Sequence, residues 1–274
     1  MLKARVLTAL VLLGAFLGAV FLLPAAGWLL FVAFVCAAGA WEWGGLARIA
    51  GGPRVAFALV LGLATLGLGW LADLSADTMS AHAMLLLCYA VSGVFWLLLA
   101  PAWLAKGWQV RSVAPMLLVG TVVLLPSALA LAHLRQFGPL LLLFAMSLVW
   151  IADIAAYFTG RAFGRRKLAP SISPGKTWEG AAGAVGGVML FGLAVLTFGG
   201  WQAEGVQFLF AAPALLVVTV LSIAGDLFES MIKRQAGVKD SGNLLPGHGG
   251  VLDRIDSLTS TLPLVALLLM LWAR

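Results

Sequence analysis

The chain has 274 residues, of which 62% are hydrophobic and only 10% are charged, whereas about 25% of the residues in a soluble domain are charged. A soluble fold of this length cannot bury so much apolar surface, so we predict that the solvent of the chain is lipid. The net charge of +6 does not indicate nucleic-acid binding, because the basic residues are spread over short segments between apolar runs.

The apolar runs predict the number of membrane spans. A helix needs about 20 apolar residues to cross the hydrocarbon core, and a closed barrel would show alternating strands that this sequence lacks. We therefore predict an all-α polytopic membrane protein, a single domain over residues 1–274 with about nine transmembrane helices. The runs cover residues 6–23, 25–47, 55–73, 82–100, 113–133, 138–159, 179–200, 207–227 and 258–273.

The positions of Lys and Arg predict the orientation of these spans. With a cytoplasmic N-terminus, every basic residue except Arg135 and Arg274 falls on an inner segment. We therefore predict a multi-pass protein of a bacterial-type inner membrane.

The polar residues are concentrated after about residue 135. This distribution predicts that 1–135 is scaffold and that 136–274 is the catalytic half, with its site on the cytoplasmic face.

Small residues recur at helical spacing in the seventh run, at Gly180, Gly183 and Gly187. Glycines at this spacing allow two helices to approach closely in lipid. Two interpretations remain open, namely packing inside the bundle and contact with a second copy of the chain.

The first polar segment follows the sixth run. Asp153 and Tyr157 are four residues apart and so share one helical face near the inner end of that run. A carboxylate in a membrane helix is expected to face the bundle interior, where Asp153 either pairs with an Arg or belongs to a site. Lys176 lies just before the seventh run, and a helix N-terminus with a lysine is a suitable phosphate site.

The second polar segment carries two pairs of acids. Asp226 and Glu229 are three residues apart, as are Asp253 and Asp256, so each pair presents two carboxylates on one helical face. Mg²⁺ is typically bound by one or two carboxylates together with substrate phosphates. The pattern therefore predicts a magnesium site used with a phosphate-bearing substrate.

Between these pairs lies a glycine-rich turn with Gly247, Gly249 and Gly250, whose backbone can approach a phosphate closely. His248 either hydrogen-bonds a phosphate or braces the turn, and both interpretations stay open. A charge-balanced, solvated connector would not require three glycines around a histidine. The basic residues available to neutralise a polyphosphate are Lys233, Arg234, Lys239 and Arg254.

These residues also resemble a known family. Ser-Met-Ile-Lys-Arg at 230–234, Lys-Asp at 239–240 and Pro-Gly-His-Gly-Gly-Val-Leu-Asp-Arg-Ile-Asp at 246–256 look like the signature of phosphatidate cytidylyltransferases, or CDP-diacylglycerol synthases. The segments 153–164 and 173–180 are similar to that family as well. The resemblance covers the C-terminal half by motif and the whole chain by hydropathy.

The resemblance implies an activity and its partners. CTP and phosphatidic acid would give CDP-diacylglycerol and pyrophosphate for phospholipid biosynthesis, with Mg²⁺ required, and a second, monovalent cation is left open. A bundle of membrane helices and a homodimer are also implied. No nucleic acid is expected as a partner.

With this reaction in view, the polar residues receive predicted roles. The predicted catalytic residues are Asp226, Lys233, Arg234, Asp253 and Arg254. The predicted metal ligands are Asp226, Asp253 and Asp256. The predicted substrate-binding residues are Asp153, Lys176, Lys239, Asp240, Asn243, Gly247, His248, Gly249 and Gly250.

Two other functions are considered. A related enzyme that uses CTP with an isoprenoid phosphate or a lipid alcohol is the nearer alternative, because the sequence does not distinguish acyl from isoprenyl tails. A secondary transporter for anions would carry its charges near the bilayer midplane on two related halves. The sequence shows no such halves, and this alternative is disfavoured.

Overall fold

The computed structural model describes residues 2–74, 78–198, 205–245 and 247–272. In this part of the chain, ten α-helices form nine apolar rods, since the helices on either side of a π-helical turn at Phe95–Leu99 are continuous through it. The helices are α1 (Leu2–Leu22), α2 (Ala25–Leu46), α3 (Gly51–Leu74), α4 (Thr78–Val94), α5 (Ala100–Lys106), α6 (Val113–Gln136), α7 (Pro139–Phe163), α8 (Trp178–Phe198), α9 (Gly205–Ala236) and α10 (Leu252–Trp272).

Each rod corresponds to one of the predicted spans. Within the described residues, eight of them are long and apolar enough to cross a membrane, and α1 contributes a shorter apolar helix over Thr8–Leu22. The prediction of an all-α polytopic membrane protein is therefore confirmed.

The predicted ends of the last two spans were wrong. The run 207–227 continues as helix to Ala236, and the run 258–273 begins earlier, at Leu252. Charged residues interrupt the apolar pattern at these places, but they are compatible with a helix, and a partner inside the bundle lets the helix carry them. Lys233 pairs with Glu229 within α9, so the helix continues through them.

The segment between α7 and α8 is a small β-hairpin that the apolar pattern did not predict. Strands β1 (Lys167–Ala169) and β2 (Ser173–Thr177) pair antiparallel. The hydroxyl oxygen of Thr177 accepts a hydrogen bond from the Gly180 amide at 3.1 Å, which satisfies one of the free donors at the start of α8. The hairpin is therefore attached directly to the first turn of α8.

An aromatic cluster packs the π-helical turn against α9. The ring of Phe228 meets Phe95, Trp96 and Trp103 edge-to-face, at centroid distances of 5.3, 5.5 and 5.5 Å. Phe228 is almost completely buried. This packing fixes the half of α9 that carries Asp226 and the residues after it.

Three glycines of α8, Gly180, Gly183 and Gly187, face α7. A Cβ added to Gly180 would lie 2.9 Å from the carbonyl oxygen of Ala156, and one added to Gly187 would lie 2.7 Å from the Cβ of Ala155. Gly183 is packed more tightly still, against the side chain of Thr159. Of the two interpretations of this stripe, the structure supports packing inside the bundle.

Segments that were predicted to share one side of the membrane do lie at one end of the bundle. The guanidinium of Arg48, after α2, donates to the Gln235 carbonyl at 3.1 Å. The Gln235 amide nitrogen donates to the Trp108 carbonyl at 2.7 Å. Arg135 donates instead to Val20, near the end of α1, at 2.8 Å. Which end faces the cytoplasm stays a prediction.

Candidate active site

A buried cluster of charges joins α9 to α10. The ammonium nitrogen of Lys233 lies 3.1 Å from Glu229 Oε1 and 2.5 Å from Asp253 Oδ1. All three side chains are less than a tenth exposed. Because an unpaired charge in such a place would be costly, the two carboxylates and the lysine hold one another in position.

The second oxygen of Asp253 is also fully engaged. Asp253 Oδ2 accepts hydrogen bonds from the Gly250 amide at 2.8 Å and the Ser241 amide at 2.9 Å, and it lies 3.1 Å from Ser241 Oγ. Asp253 is in the first turn of α10, where the helix dipole favours a negative charge. Its carboxylate is therefore fixed from both sides.

Asp226 forms a second and more accessible pair. Its Oδ2 lies 2.6 Å from the ammonium of Lys176 on β2, and its Oδ1 accepts a hydrogen bond from Ser230 at 3.2 Å. The side chains of Asp226 and Lys176 are 30% and 24% exposed. Next to Asp226, a Cβ on Gly225 would lie 2.5 Å from Ser260 Oγ, so glycine permits the close approach of α9 and α10.

The Lys176–Asp226 pair lies in a cleft of about 450 Å³ between α7, α8, α9 and the hairpin. Asp153 is exposed to this cleft, and the Arg161 guanidinium donates to the Tyr157 hydroxyl at 3.1 Å on its wall. The cleft thus combines charged groups with apolar walls, as a phosphate headgroup on acyl chains would require. The apolar wall includes Ala152, Ala156, Leu168, Ala181 and Ile223.

A separate, strongly polar cavity of about 560 Å³ lies in the connection between α9 and α10. Gly247 and Gly249 adopt positive φ angles of 75° and 82°, which only glycine adopts without strain. Most of the predicted substrate-binding residues converge here. The lining consists of Lys239, Asp240, Asn243, Leu245, Gly247, His248, Gly249 and Arg254.

Arg254 is held in this cavity by the backbone of the glycine-rich turn. Its Nε donates to the His248 carbonyl at 3.1 Å. The His248 amide donates in turn to the Leu245 carbonyl at 2.9 Å, and the Leu245 amide to the Gly249 carbonyl at 2.9 Å. The backbone of His248 thus braces the turn, and the role of its ring stays open.

Two residues that were predicted to take part in the site, Gly250 and Arg234, are outside the described lining of both cavities. The Gly250 amide donates a hydrogen bond to Asp253. Arg234 is exposed, donates to the Val238 carbonyl at 2.9 Å where α9 ends, and is absent from the described lining of both cavities. Pro246 of the motif is outside the described residues.

Asp256 lies one turn after Asp253 on α10, as the spacing predicted. Its Oδ1 accepts a hydrogen bond from the Ser257 amide at 2.7 Å. α9 comes close to Asp256 beside Asp226, because a Cβ added to Gly225 would lie 2.9 Å from the Asp256 carbonyl oxygen. The two predicted acid pairs therefore do face each other across the α9–α10 contact.

The donor chemistry of this region fits a magnesium ion that is bound together with substrate phosphates. In the described residues, no three His, Cys, Asp or Glu side chains converge on one point, but Mg²⁺ typically takes only one or two carboxylates. The region has five carboxyl groups but only two ammonium groups, so acidic groups are in excess. The groups counted are Asp153, Asp226, Glu229, Asp253 and Asp256, against Lys176 and Lys233.

Glu42 is a site residue that the sequence analysis missed. It lies on α2, is 1% exposed, and accepts hydrogen bonds from the Val251 amide at 3.0 Å and the Leu252 amide at 2.9 Å. The signal was available, because Glu42 is the only charged residue in the run 25–47 and an ionisable group inside a membrane helix is by default a candidate for function.

The fold and the charged cluster are those of a polytopic membrane enzyme. Residues 3–272 match the Cytidylyltransferase family, and the chain belongs to that family. It is 45% identical to a phosphatidate cytidylyltransferase from Pseudomonas aeruginosa, over 100% of this chain and 98% of the relative. It is 41% identical to one from Haemophilus influenzae, over 96% of each chain. The family predicted from residues 230–256 is thus confirmed.

Proposed function

We propose that this protein transfers CMP from CTP to phosphatidic acid and so makes CDP-diacylglycerol and pyrophosphate for phospholipid biosynthesis. The observation that carries the proposal is the similarity, over nearly the whole chain, to relatives named phosphatidate cytidylyltransferases. The combination of a cleft with apolar and charged walls and a strongly polar cavity supports it.

In the proposed reaction, an oxygen of the lipid phosphate attacks the α-phosphorus of CTP. A new P–O bond forms, the bond from the α-phosphorus to the oxygen bridging to the β-phosphorus breaks, and its electron pair leaves with pyrophosphate. The attacking phosphate is already ionised at neutral pH, so no side chain has to act as a base. The contribution of the protein is to position the substrates and to neutralise charge.

Each cavity suits one of the two substrates. We assign the lipid to the cleft, with its phosphate beside Lys176 and its tails along the apolar wall. We assign the CTP polyphosphate to the polar cavity, where Lys239 and Arg254 supply positive charge. The Lys233–Asp253 pair joins the two regions, since α9 lines the cleft through Asp226 and α10 lines the polar cavity through Arg254.

Asp226, Asp253 and Asp256 are proposed to hold Mg²⁺. The ion, when bound with phosphates, would neutralise their oxygens and stabilise the leaving pyrophosphate. Asp226 is the most accessible ligand because its side chain is 30% exposed. Asp253 would have to release Lys233 from its Oδ1, and the lysine would then be free to contact a phosphate. A second, monovalent cation remains an open alternative.

The test is the incorporation of radiolabelled CTP into chloroform-soluble product by the purified protein, with phosphatidic acid and Mg²⁺. Asp253→Asn is expected to lose activity by a factor of about 10² or more, because the amide cannot replace the charge beside Lys233. The variant is expected to stay folded. Asp73→Asn, which removes a carboxylate with no predicted role in the site, is the matched control. Full activity of Asp253→Asn at saturating Mg²⁺ would remove Asp253 from the site.

A lipid panel at one CTP concentration separates the proposal from its nearest alternative. Phosphatidic acid should be the preferred acceptor over an isoprenyl phosphate and over diacylglycerol. A preference for the isoprenyl substrate would assign the chain to a related CTP-dependent activity and would leave the description of the charged cluster unchanged.

The proposal includes the inner membrane as location, a cytoplasmic active site and a homodimer. The Lys and Arg distribution supports the location and orientation, while the dimer rests on the family resemblance alone. Light scattering of the purified protein in detergent, corrected for bound detergent, should give the mass of two chains. A mass of one chain would contradict the dimer and leave the chemistry untouched.

A further inference from the structure

Glu42 reaches the connection between α9 and α10 from the half of the chain that carries no motif. Its Oε1 accepts from the Val251 amide, and its Oε2 accepts from the Leu252 amide. The same Oε2 lies 2.9 Å from the hydroxyl of Ser241. Glu42 thus contacts both the beginning and the end of one connection and closes it into a loop.

The packing around Glu42 explains two glycines of the loop. A Cβ added to Gly242 would lie 2.5 Å from Glu42 Oε1. A Cβ added to Gly250 would meet both the Glu42 carboxylate and the Ser241 hydroxyl at closer than van der Waals distance. These glycines are therefore needed for the close approach of the loop to a carboxylate on α2, and not only for the shape of a turn.

Ser241 connects Glu42 to Asp253. Its amide donates to Asp253 Oδ2 at 2.9 Å, and its hydroxyl lies within hydrogen-bond distance of both Glu42 and Asp253. Asp253 then pairs with Lys233. The hydroxyl has a single proton, so it donates to one carboxylate at a time, while the backbone donors keep both acids in place.

We propose that Glu42 is a positioning residue, which holds Ser241 and the first turn of α10 so that the Asp253 carboxylate keeps its orientation toward Lys233 and the substrate phosphates. The link to substrate phosphates rests on the proposed function. The bracing of the loop rests only on the contacts of Glu42, and it is tested separately.

The first variant is Glu42→Gln, which keeps the size of the side chain but places an N–H₂ group against backbone or hydroxyl donors. The expected result is a fall in kcat of about 10- to 100-fold, the usual effect of removing a residue that orients a site ligand. The KM for phosphatidic acid should change by less than about threefold, because the described lining of the cleft assigned to the lipid contains no residue of the loop.

Hydrogen–deuterium exchange of the same variant tests the bracing without any activity. Faster exchange should be confined to residues 239–253, while α2 and α6 keep the protection of the unchanged protein. Ser127→Ala is the matched control, since it removes a buried hydrogen bond between α6 and the Thr259 carbonyl of α10. It should leave kcat and exchange in the loop unchanged.

Ser241→Ala provides a milder second variant. If Glu42 acts through Ser241, the loss caused by Glu42→Gln should be smaller in the Ser241→Ala background than in the unchanged protein, because the two residues share one contact network. Independent losses that multiply would show that Glu42 does not act through Ser241.

The outcomes separate the inference from the proposed function. Normal kcat and normal loop exchange in a folded Glu42→Gln protein would overturn the inference, as would exchange that rises evenly over the whole bundle. If the unchanged protein is inactive on phosphatidic acid, the proposed function fails, and local exchange in the loop still decides whether Glu42 braces it.

Discussion

At the scale of single residues, Lys233 holds together two acids from different helices. The side chain is less than a tenth exposed and lies within 3.1 Å of Glu229 and 2.5 Å of Asp253. A buried pair of this kind contributes little net stability compared with an apolar contact, but removing one partner leaves the other charges without compensation. Lys233 has two such partners.

We therefore expect Lys233→Met to lower the free energy of unfolding by about 3–5 kcal/mol, in addition to abolishing activity. Thermal unfolding in detergent, followed by tryptophan fluorescence, measures the first effect. Arg166→Gln is the control, because Arg166 pairs with Glu179 at 3.3 Å on an exposed surface where such pairs contribute little. Equal shifts in the two variants would contradict the assignment.

The sequence predicted the residues of the site better than it predicted their contacts. Asp226, Glu229, Asp253 and Asp256 stood out because acids at the ends of apolar helices are rare. Glu42 is likewise the only charged residue in its apolar run, but its contact with Ser241, 199 residues away along the chain, is encoded by no local pattern.

At the scale of secondary-structure elements, α7 and α8 show how small residues determine helix packing. Gly180, Gly183 and Gly187 face α7, whereas a Cβ on Gly186 would have no neighbour within 4 Å. The two neighbouring positions Gly186 and Gly187 thus have the same local sequence context and opposite packing environments.

This contrast predicts opposite effects of one added methyl group. Gly183→Ala should destabilise the protein, because the new methyl meets the side chain of Thr159 and forces α7 and α8 apart. Gly186→Ala should be neutral or should stabilise by up to about 1 kcal/mol, the helix propensity of Ala over Gly. Unfolding temperatures in detergent give both results, and a destabilised Gly186→Ala would argue against the observed orientation of α8.

The predicted spans matched the elements in number and order, and they failed at the ends for a physical reason. Hydropathy detects burial in lipid, but it does not detect charges that are buried against one another, as in the last turns of α9. It also gave no sign of the hairpin of β1 and β2. That hairpin is held by backbone pairing and by the Glu179 carboxylate, which accepts from the Arg165 amide at 3.1 Å.

At the scale of the whole molecule, the predicted scaffold over 1–135 and the predicted catalytic half over 136–274 are in direct contact beside the charged cluster. The carboxylate of Glu42, from the first half, lies against the loop that carries the signature of the second half. Arg48 also contacts the end of α9 through the Gln235 carbonyl at 3.1 Å. The two halves therefore fold as one packed unit at the end of the bundle that holds the charged cluster.

The orientation of this unit in the membrane gives the last prediction. The connections with most Lys and Arg, including Lys239, should face the cytoplasm, and the turn at Phe137 between α6 and α7 should face the opposite side. In a background with Cys36→Ala and Cys88→Ala, Lys239→Cys should react with a membrane-impermeant maleimide only in inside-out vesicles. Phe137→Cys, which replaces an exposed side chain, should react only in right-side-out vesicles. The reverse pattern would place the polar cavity on the outer face, where cytoplasmic CTP could not reach it, and would refute the proposed location of the reaction while leaving the helix packing as described.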